Sequence, residues 1–98
     1  MRTVTLADMP TYPPALVDAV DRIVAELGAN RMLFTYRTIE QCFGISRATV
    51  SRRLKDGLVP GARIANGRVM EEGSVRRFDR TQLRWLLLAV RSTRLARR

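Results

Sequence analysis

The sequence predicts one small, mainly α-helical domain that carries a single β-hairpin. Its 98 residues suffice for one hydrophobic core. Apolar residues recur at helical spacing in four stretches, each of which starts at a residue suited to the first turn of a helix. The interval before the last stretch lacks that spacing and contains β-branched residues and glycine turns. We therefore expect an irregular lead-in over residues 1–13 and one domain over residues 14–95.

An amphipathic helix is predicted over residues 14–28, ahead of the rest of the domain. Pro14 suits the first helical turn because its missing N–H leaves no donor unpaired there, and Gly28 is a typical helix end. Leu16, Val20 and Ile23 share one face, while acidic residues occupy another. Two uses of the apolar face remain open, namely covering the core and forming a dimer seam.

Two short helices joined by a glycine turn are predicted over residues 35–57. Both Thr35 and Thr38 suit the N-cap of the first helix. Gly44 permits a sharp turn, and Ser46 caps the second helix over residues 47–56.

The second of these helices has an apolar face and a cationic face. At about 100° of rotation per residue, Val50 and Leu54 point together toward the core. The other side is small at its start and cationic further on, comprising Ala48, Thr49, Arg52 and Lys55. Small residues allow close approach to base edges, and arginine can reach guanine. We expect Arg47, Arg53 and Lys55 to lie along phosphates, with Ser46 and the helix start as a further phosphate contact.

A β-hairpin is predicted over residues 61–78, with strands near 62–65 and 74–78. Asn66-Gly67 and Glu72-Gly73 are both suitable turns, and residues 68–72 either extend the first strand or form the tip. An apolar helix follows over residues 79–95, with Asp79 as N-cap and Gln82 closing a capping box. The many apolar residues of this helix must be covered on two sides; they are Leu83, Trp85, Leu86, Leu87, Leu88 and Val90.

Helix, turn, helix and hairpin follow one another in the order of a winged helix-turn-helix. The charge favours a nucleic-acid partner, since the net charge is +9 and 17 of the 18 cations are arginine. The planar guanidinium matches phosphate and guanine edges, whereas lysine would serve for solubility alone. Two cations against four anions give residues 1–30 a charge of −2, so residues 31–98 carry +11. The positive field therefore lies with the last two thirds of the chain.

Residue types that the chain lacks argue against other functions. A single cysteine forms no internal disulfide, and the absence of histidine removes the usual zinc ligand and general base. We expect no enzyme activity, metal or cofactor, and we expect Cys42 to be a half-buried helix residue. No signal peptide or membrane span is evident, so the expected location is the cytoplasm of a bacterial cell or phage-infected host.

Two segments resemble a known family. The run TYRTIEQCFGISRATVSRRLKDGLVPGAR and the later GSVRRFDRTQLRWL are similar to the winged helix-turn-helix of MerR-type regulators and phage excisionases. The likeness covers about residues 33–90 and favours Thr35 as the cap. It matches Arg76 and Arg77 to a wing strand on the DNA backbone or minor groove. The recognition helix of the family corresponds to Ser46, Arg47, Thr49, Arg52 and Arg53.

The sequence departs from this family at three places. Glu40 stands where the family usually has a small alanine, and the hairpin, with its acidic pair Glu71-Glu72, is longer than usual. The chain ends at Arg98 without the long dimerisation helix and effector region of full MerR regulators. A ligand-sensing activator is therefore not expected.

The expected function is sequence-specific binding of double-stranded DNA by a small transcription regulator or repressor of phage or mobile-element type. An excisionase-like factor that bends DNA is the alternative. A homodimer or cooperative assembly on DNA is also expected, as is contact with a recombinase or polymerase. RNA binding is disfavoured because none of the six aromatics is interleaved with the basic stretch. The candidate DNA contacts are Ser46, Arg47, Ala48, Thr49, Arg52, Arg53, Lys55, Arg63, Arg68, Arg76 and Arg77.

Overall fold

The computed structural model describes residues 2–27, 33–70 and 77–96, with side chains as far as Thr93. It is mainly helical with short antiparallel strands, as predicted. The helices are α1 (Pro14–Glu26), α2 (Tyr36–Phe43), α3 (Arg47–Lys55) and α4 (Arg80–Ala96), and Leu6–Asp8 form one turn of 3₁₀ helix. The strands are β1 (Arg2–Thr3), β2 (Phe34–Thr35), β3 (Arg63–Ala65), β4 (Arg68–Met70) and β5 (Arg77–Phe78).

The amino-terminal segment is part of the fold, which corrects the expectation of an irregular lead-in over residues 1–13. Strand β1 pairs antiparallel with β3, so the ordered domain begins well before Pro14. Val4 continues the pairing: its N–H donates to the Ala62 carbonyl at 2.8 Å, and its carbonyl accepts from the Gly61 N–H at 2.8 Å. This pairing joins residues about 60 positions apart, and local sequence signals cannot reveal such a partner.

Helix α1 covers the core from within the same chain. It begins at Pro14 as predicted and ends at Glu26, while Gly28 lies outside the described residues. Leu16 and Val20 are buried, and α1 packs against α4. An ion pair of 2.6 Å between Asp21 and Arg84 joins the two helices. The apolar face of α1 therefore covers the core, which is one of the two uses left open for it.

Helix α4 forms the centre of the core. Asp79 and Gln82 make the predicted capping box, in which the Gln82 N–H donates to Asp79 Oδ1 at 2.8 Å and the Asp79 N–H donates to Gln82 Oε1 at 3.2 Å. The helix is covered on two sides, by α1 and α3. Its buried residues are Leu83, Leu86, Leu87, Leu88, Ala89 and Val90. Trp85 lies at the margin, where its ring centroid is 6.0 Å from that of Tyr12.

The hairpin differs from the predicted one. Asn66 and Gly67 form its two-residue turn with φ values of 53° and 73°, the positive pair that a type I′ turn requires. The second strand is therefore β4 rather than residues 74–78. Arg77 and Phe78 instead pair with β2, which sets Phe78 opposite Phe34, and both phenylalanines are fully buried. Glu72-Gly73, the other candidate turn, lies outside the described residues.

None of the helices in the described ranges combines the length and apolar character needed to cross a bilayer.

Candidate nucleic-acid interface

Helices α2 and α3 are joined by the three residues Gly44 to Ser46. Thr35 is the N-cap of α2, since its side chain accepts from the Thr38 N–H at 3.2 Å. Gly44 ends α2 with φ 66°, a conformation that glycine adopts without the strain of a Cβ. Ile45 is buried in the core, so the turn is fixed to the body of the protein. The N-cap of α2 is therefore Thr35, as predicted, rather than Thr38.

Ser46 and Thr49 hold the start of α3. The Ser46 hydroxyl accepts from the Thr49 N–H at 3.2 Å, and the two hydroxyl oxygens are 3.0 Å apart. Ser46 thus acts as the predicted N-cap, with part of its hydrogen-bonding capacity used inside the helix. The backbone N–H groups of Arg47 and Ala48, the first two residues of α3, have no carbonyl partner within an α-helix and point out of its end. An anion such as a phosphate would meet these donors together with the positive end of the helix dipole.

The orientation of α3 agrees with the helical-wheel prediction. Val50 and Leu54 are fully buried. The face turned to solvent carries Ala48, Arg52 and Lys55, with Thr49 half-buried at its edge. The exposed side is therefore small near the start of the helix and cationic toward its end.

Arg47 is held in place by an aromatic ring. Its guanidinium lies over the Tyr36 ring at 4.7 Å from the centroid, a cation–π contact that restrains an otherwise exposed side chain. The Tyr36 ring packs edge-on against Phe78 at 5.5 Å. A contact between the first residues of α2 and α3 thus ties an exposed cation to the buried Phe78.

Arg53 does not share the exposure of its neighbours, so less of its side chain is accessible for the phosphate contact expected of it. Its side chain is 13% exposed and pairs with Asp56, from Nη1 to Oδ2 at 3.2 Å. The same nitrogen donates to Thr93 Oγ1 on α4 at 3.4 Å. At about 100° of rotation per residue Arg53 lies on the flank of α3, and the packing of α4 against α3 encloses that flank.

The hairpin places two arginines on its outer surface, beside α3. Ile64 and Val69 are paired and pack against the core. Because side chains alternate along a strand, Arg63 and Arg68 lie on the opposite face, where Arg68 is exposed. Strand β4 contacts α3, so the hairpin lies beside the helix.

Two further predicted contacts belong to the following segment. Arg77 is exposed on β5, opposite Thr35, the cap residue of α2. Arg76 lies outside the described residues.

The structure adds two cations that sequence reasoning missed. Arg37 is exposed near the start of α2. The Arg2 guanidinium lies beside the end of α3, with its Nη2 3.2 Å from the position a Cβ on Gly57 would occupy. The exposure of Arg37 could have been predicted from its angle on α2, by the argument used for α3. The position of Arg2 could not, because it depends on the long-range pairing of β1 with β3.

The charge of this surface is almost uniform in sign. Residues 33–70 contain only two carboxylates, Glu40 and Asp56. Asp56 pairs with Arg53. Glu40 is exposed, so Glu40 does not interfere where α2 meets α3.

Cys42 is exposed rather than half-buried as expected. Among the described residues there is no group of three histidine, cysteine or acidic side chains that could hold a metal ion.

Comparison with known proteins finds no match for this chain among protein-family models, curated proteins or solved structures. What the surface can bind must therefore be inferred from its own residues. Its described part combines the amino-terminal end of α3, an exposed helical face with arginine and lysine, and arginines on an adjacent hairpin. Such a surface can contact an extended polyanion at several points at once.

Proposed function

We propose that this protein binds double-stranded DNA in a sequence-specific manner as a winged helix-turn-helix protein. In this proposal α3 is the recognition helix and enters the major groove, and the β3–β4 hairpin is the wing. The observation that carries it is the division of α3: Val50 and Leu54 are fully buried, while the opposite face is small, then cationic, and exposed. The major groove admits an α-helix and presents a distinct pattern for each base pair.

The exposed residues divide into two roles. Ala48 and Thr49 are small enough to let α3 approach base edges or a thymine methyl, and Arg52 follows within reach of a guanine. Arg47 and Lys55 bind phosphates and contribute affinity without reading sequence. The wing arginines, Arg63 and Arg68, and the neighbouring Arg77 lie along the backbone or minor groove.

The biological role that suits this surface is regulation of transcription by occupying an operator, as a small phage or mobile-element repressor does. Cooperative or dimeric binding would then appear as a footprint over a short inverted repeat. Tandem direct repeats with marked DNA bending would instead indicate an architectural factor of the excisionase type. Footprinting combined with a bending assay on the selected site distinguishes these roles.

The central experiment is selection of a preferred duplex from a randomised library, followed by binding measurements on single variants. Arg52→Ala should weaken binding by about 1–3 kcal/mol and relax preference at one base position. Lys55→Ala should weaken all sequences alike and reduce the slope of log affinity against log salt by about 0.9. Arg22→Ala removes an exposed cation on α1 and serves as the matched control, with little effect on either quantity.

Two results would contradict the proposal. One is selection of no preferred duplex, or stronger binding to structured RNA in competition. The other is an Arg52→Ala variant that weakens every sequence equally, since arginine would then contact phosphate rather than a base edge.

A further inference from the structure

Arg53 joins α3 to α4. Its Nη1 contacts Asp56 on the same helix at 3.2 Å and Thr93 on α4 at 3.4 Å. The Thr93 hydroxyl accepts from Arg53 and donates to the Ala89 carbonyl at 2.9 Å, so the contact continues into the backbone of α4. Arg53 is thereby linked to the rigid centre of the core.

The segment before α1 packs against the same helix. The Tyr12 ring lies 6.0 Å from that of Trp85 on α4, centroid to centroid. Burial raises the pKa of Tyr12, and the positive charge of Arg53 acts in the opposite direction. Helix α4 thus holds both the amino-terminal segment, through Trp85, and α3, through Thr93.

Enclosing arginine in this way is costly for a residue that only fills space. Arg53 Nε is buried and has no hydrogen-bond acceptor among the described residues, and an unpaired buried donor destabilises a fold. An apolar side chain would pack without that cost. Arg53 also follows Arg52 directly, at about 100° around the helix, so holding the Arg53 side chain against α4 also restrains the direction in which Arg52 projects.

We propose that Arg53 is a positioning residue, which holds α3 at a fixed rotation against α4 and so determines sequence discrimination without touching DNA. This role rests on the proposed function. A base contact by arginine requires a bidentate geometry, and a small rotation of α3 about its axis would displace Arg52 from it. Phosphate contacts made by flexible side chains tolerate the same rotation.

The test compares three variants on two probes: the duplex that the wild-type protein selects from a random library, and a mixed-sequence duplex of the same length. Arg53→Met retains a long unbranched side chain and removes the guanidinium. Thr93→Val keeps the shape of Thr93 and removes its hydroxyl. Lys55→Met is the matched control, because it makes the same kind of change at an exposed position of the same helix. Both affinities are measured over a series of salt concentrations.

For Arg53→Met we expect the ratio of the two affinities to fall roughly tenfold, as for one lost base contact, with the salt slope on the mixed duplex unchanged. Thr93→Val should lower the ratio in the same direction by a smaller factor. Lys55→Met should reduce the slope by about 0.9 and leave the ratio unchanged. Simple loss of folded protein lowers both affinities by one factor, so it cannot change the ratio.

A reduced slope with an unchanged ratio in Arg53→Met would overturn the role, since Arg53 would then be a phosphate contact. If Arg53→Met does not fold, Thr93→Val decides: a lower ratio supports positioning by Arg53, and an unchanged ratio overturns it. A wild-type protein that prefers no duplex refutes the proposed function itself, and with it this role. The wild-type result therefore separates failure of the function from failure of the assignment.

Discussion

Replacing Val4 by alanine tests whether the amino-terminal segment belongs to the folded domain. The Val4 side chain is 1% exposed, although the sequence around it has no pattern that predicts burial. The substitution removes two buried carbon atoms, worth about 0.8 kcal/mol each in transfer free energy. The cavity left behind adds to this loss, so the free energy of unfolding should fall by about 2–3 kcal/mol.

The assay is equilibrium unfolding in urea, followed by circular dichroism, with thermal unfolding as a second measurement. The melting temperature of Val4→Ala should fall by roughly 10 °C for a chain of this size. Leu6→Ala is the matched control, because it removes more carbon atoms from a side chain that is 61% exposed. We expect it to change stability by less than about 0.5 kcal/mol. Equal losses in the two variants would refute the reasoning, since burial of Val4 would then contribute nothing.

Two other changes test local features. Gly67→Ala should lower the unfolding free energy by about 1 kcal/mol. Gly67 has φ 73°, and a Cβ there would meet no atom within 4 Å, so the cost comes from the backbone conformation alone. An unchanged unfolding free energy would argue against this turn. Hydrogen bonds from Thr5, its backbone N–H foremost, lower the pKa of Asp8 below 3.8, so the carboxylate stabilises the fold above that pH and loses its contribution as the pH falls. The deficit of Asp8→Ala in urea unfolding should therefore shrink from about pH 6 to about pH 3, whereas a constant deficit would contradict this origin.

The helices could be predicted because their signals are local. The caps at Thr35, Ser46 and Asp79 are formed by side chains that reach a backbone N–H three residues later. Such contacts depend on residue type and spacing alone. The inward direction of Val50 and Leu54 follows equally from the period of the helix. The starts of the helices and the inner face of α3 were therefore accessible from the sequence.

The strand partners were not accessible in this way. Two turns of similar quality, Asn66-Gly67 and Glu72-Gly73, suited the hairpin, and only the first is seen to join two strands in the described residues. The pairing of β1 with β3, and of β2 with β5, joins residues far apart in the chain. Short strands carry little pattern of their own, because their stability comes from the neighbours against which they pack.

Arg53 shows the same limit at the candidate interface. The helical wheel gives its angle on α3 but not the presence of α4 along that flank. Two consecutive arginines of one helix thus have different surroundings: Arg52 is exposed, and Arg53 is enclosed by Asp56 and Thr93. Charge counted from sequence therefore overstates the number of cations available to a polyanion.

The exposed face of α3, which is proposed to contact the bases, depends on the rest of the domain for its shape. A helix of nine residues is too short to be stable by itself in water, because the cost of helix nucleation exceeds what so few hydrogen bonds return. Its shape depends on Val50 and Leu54, which pack inside the core, and on the contact of Arg53 with α4. Because those anchors are on the side opposite to Ala48 and Arg52, a change in the core beneath α3 would rotate or loosen the exposed face. Sequence discrimination should therefore be more sensitive to buried substitutions than nonspecific affinity is, since phosphate contacts tolerate small movements and base contacts do not.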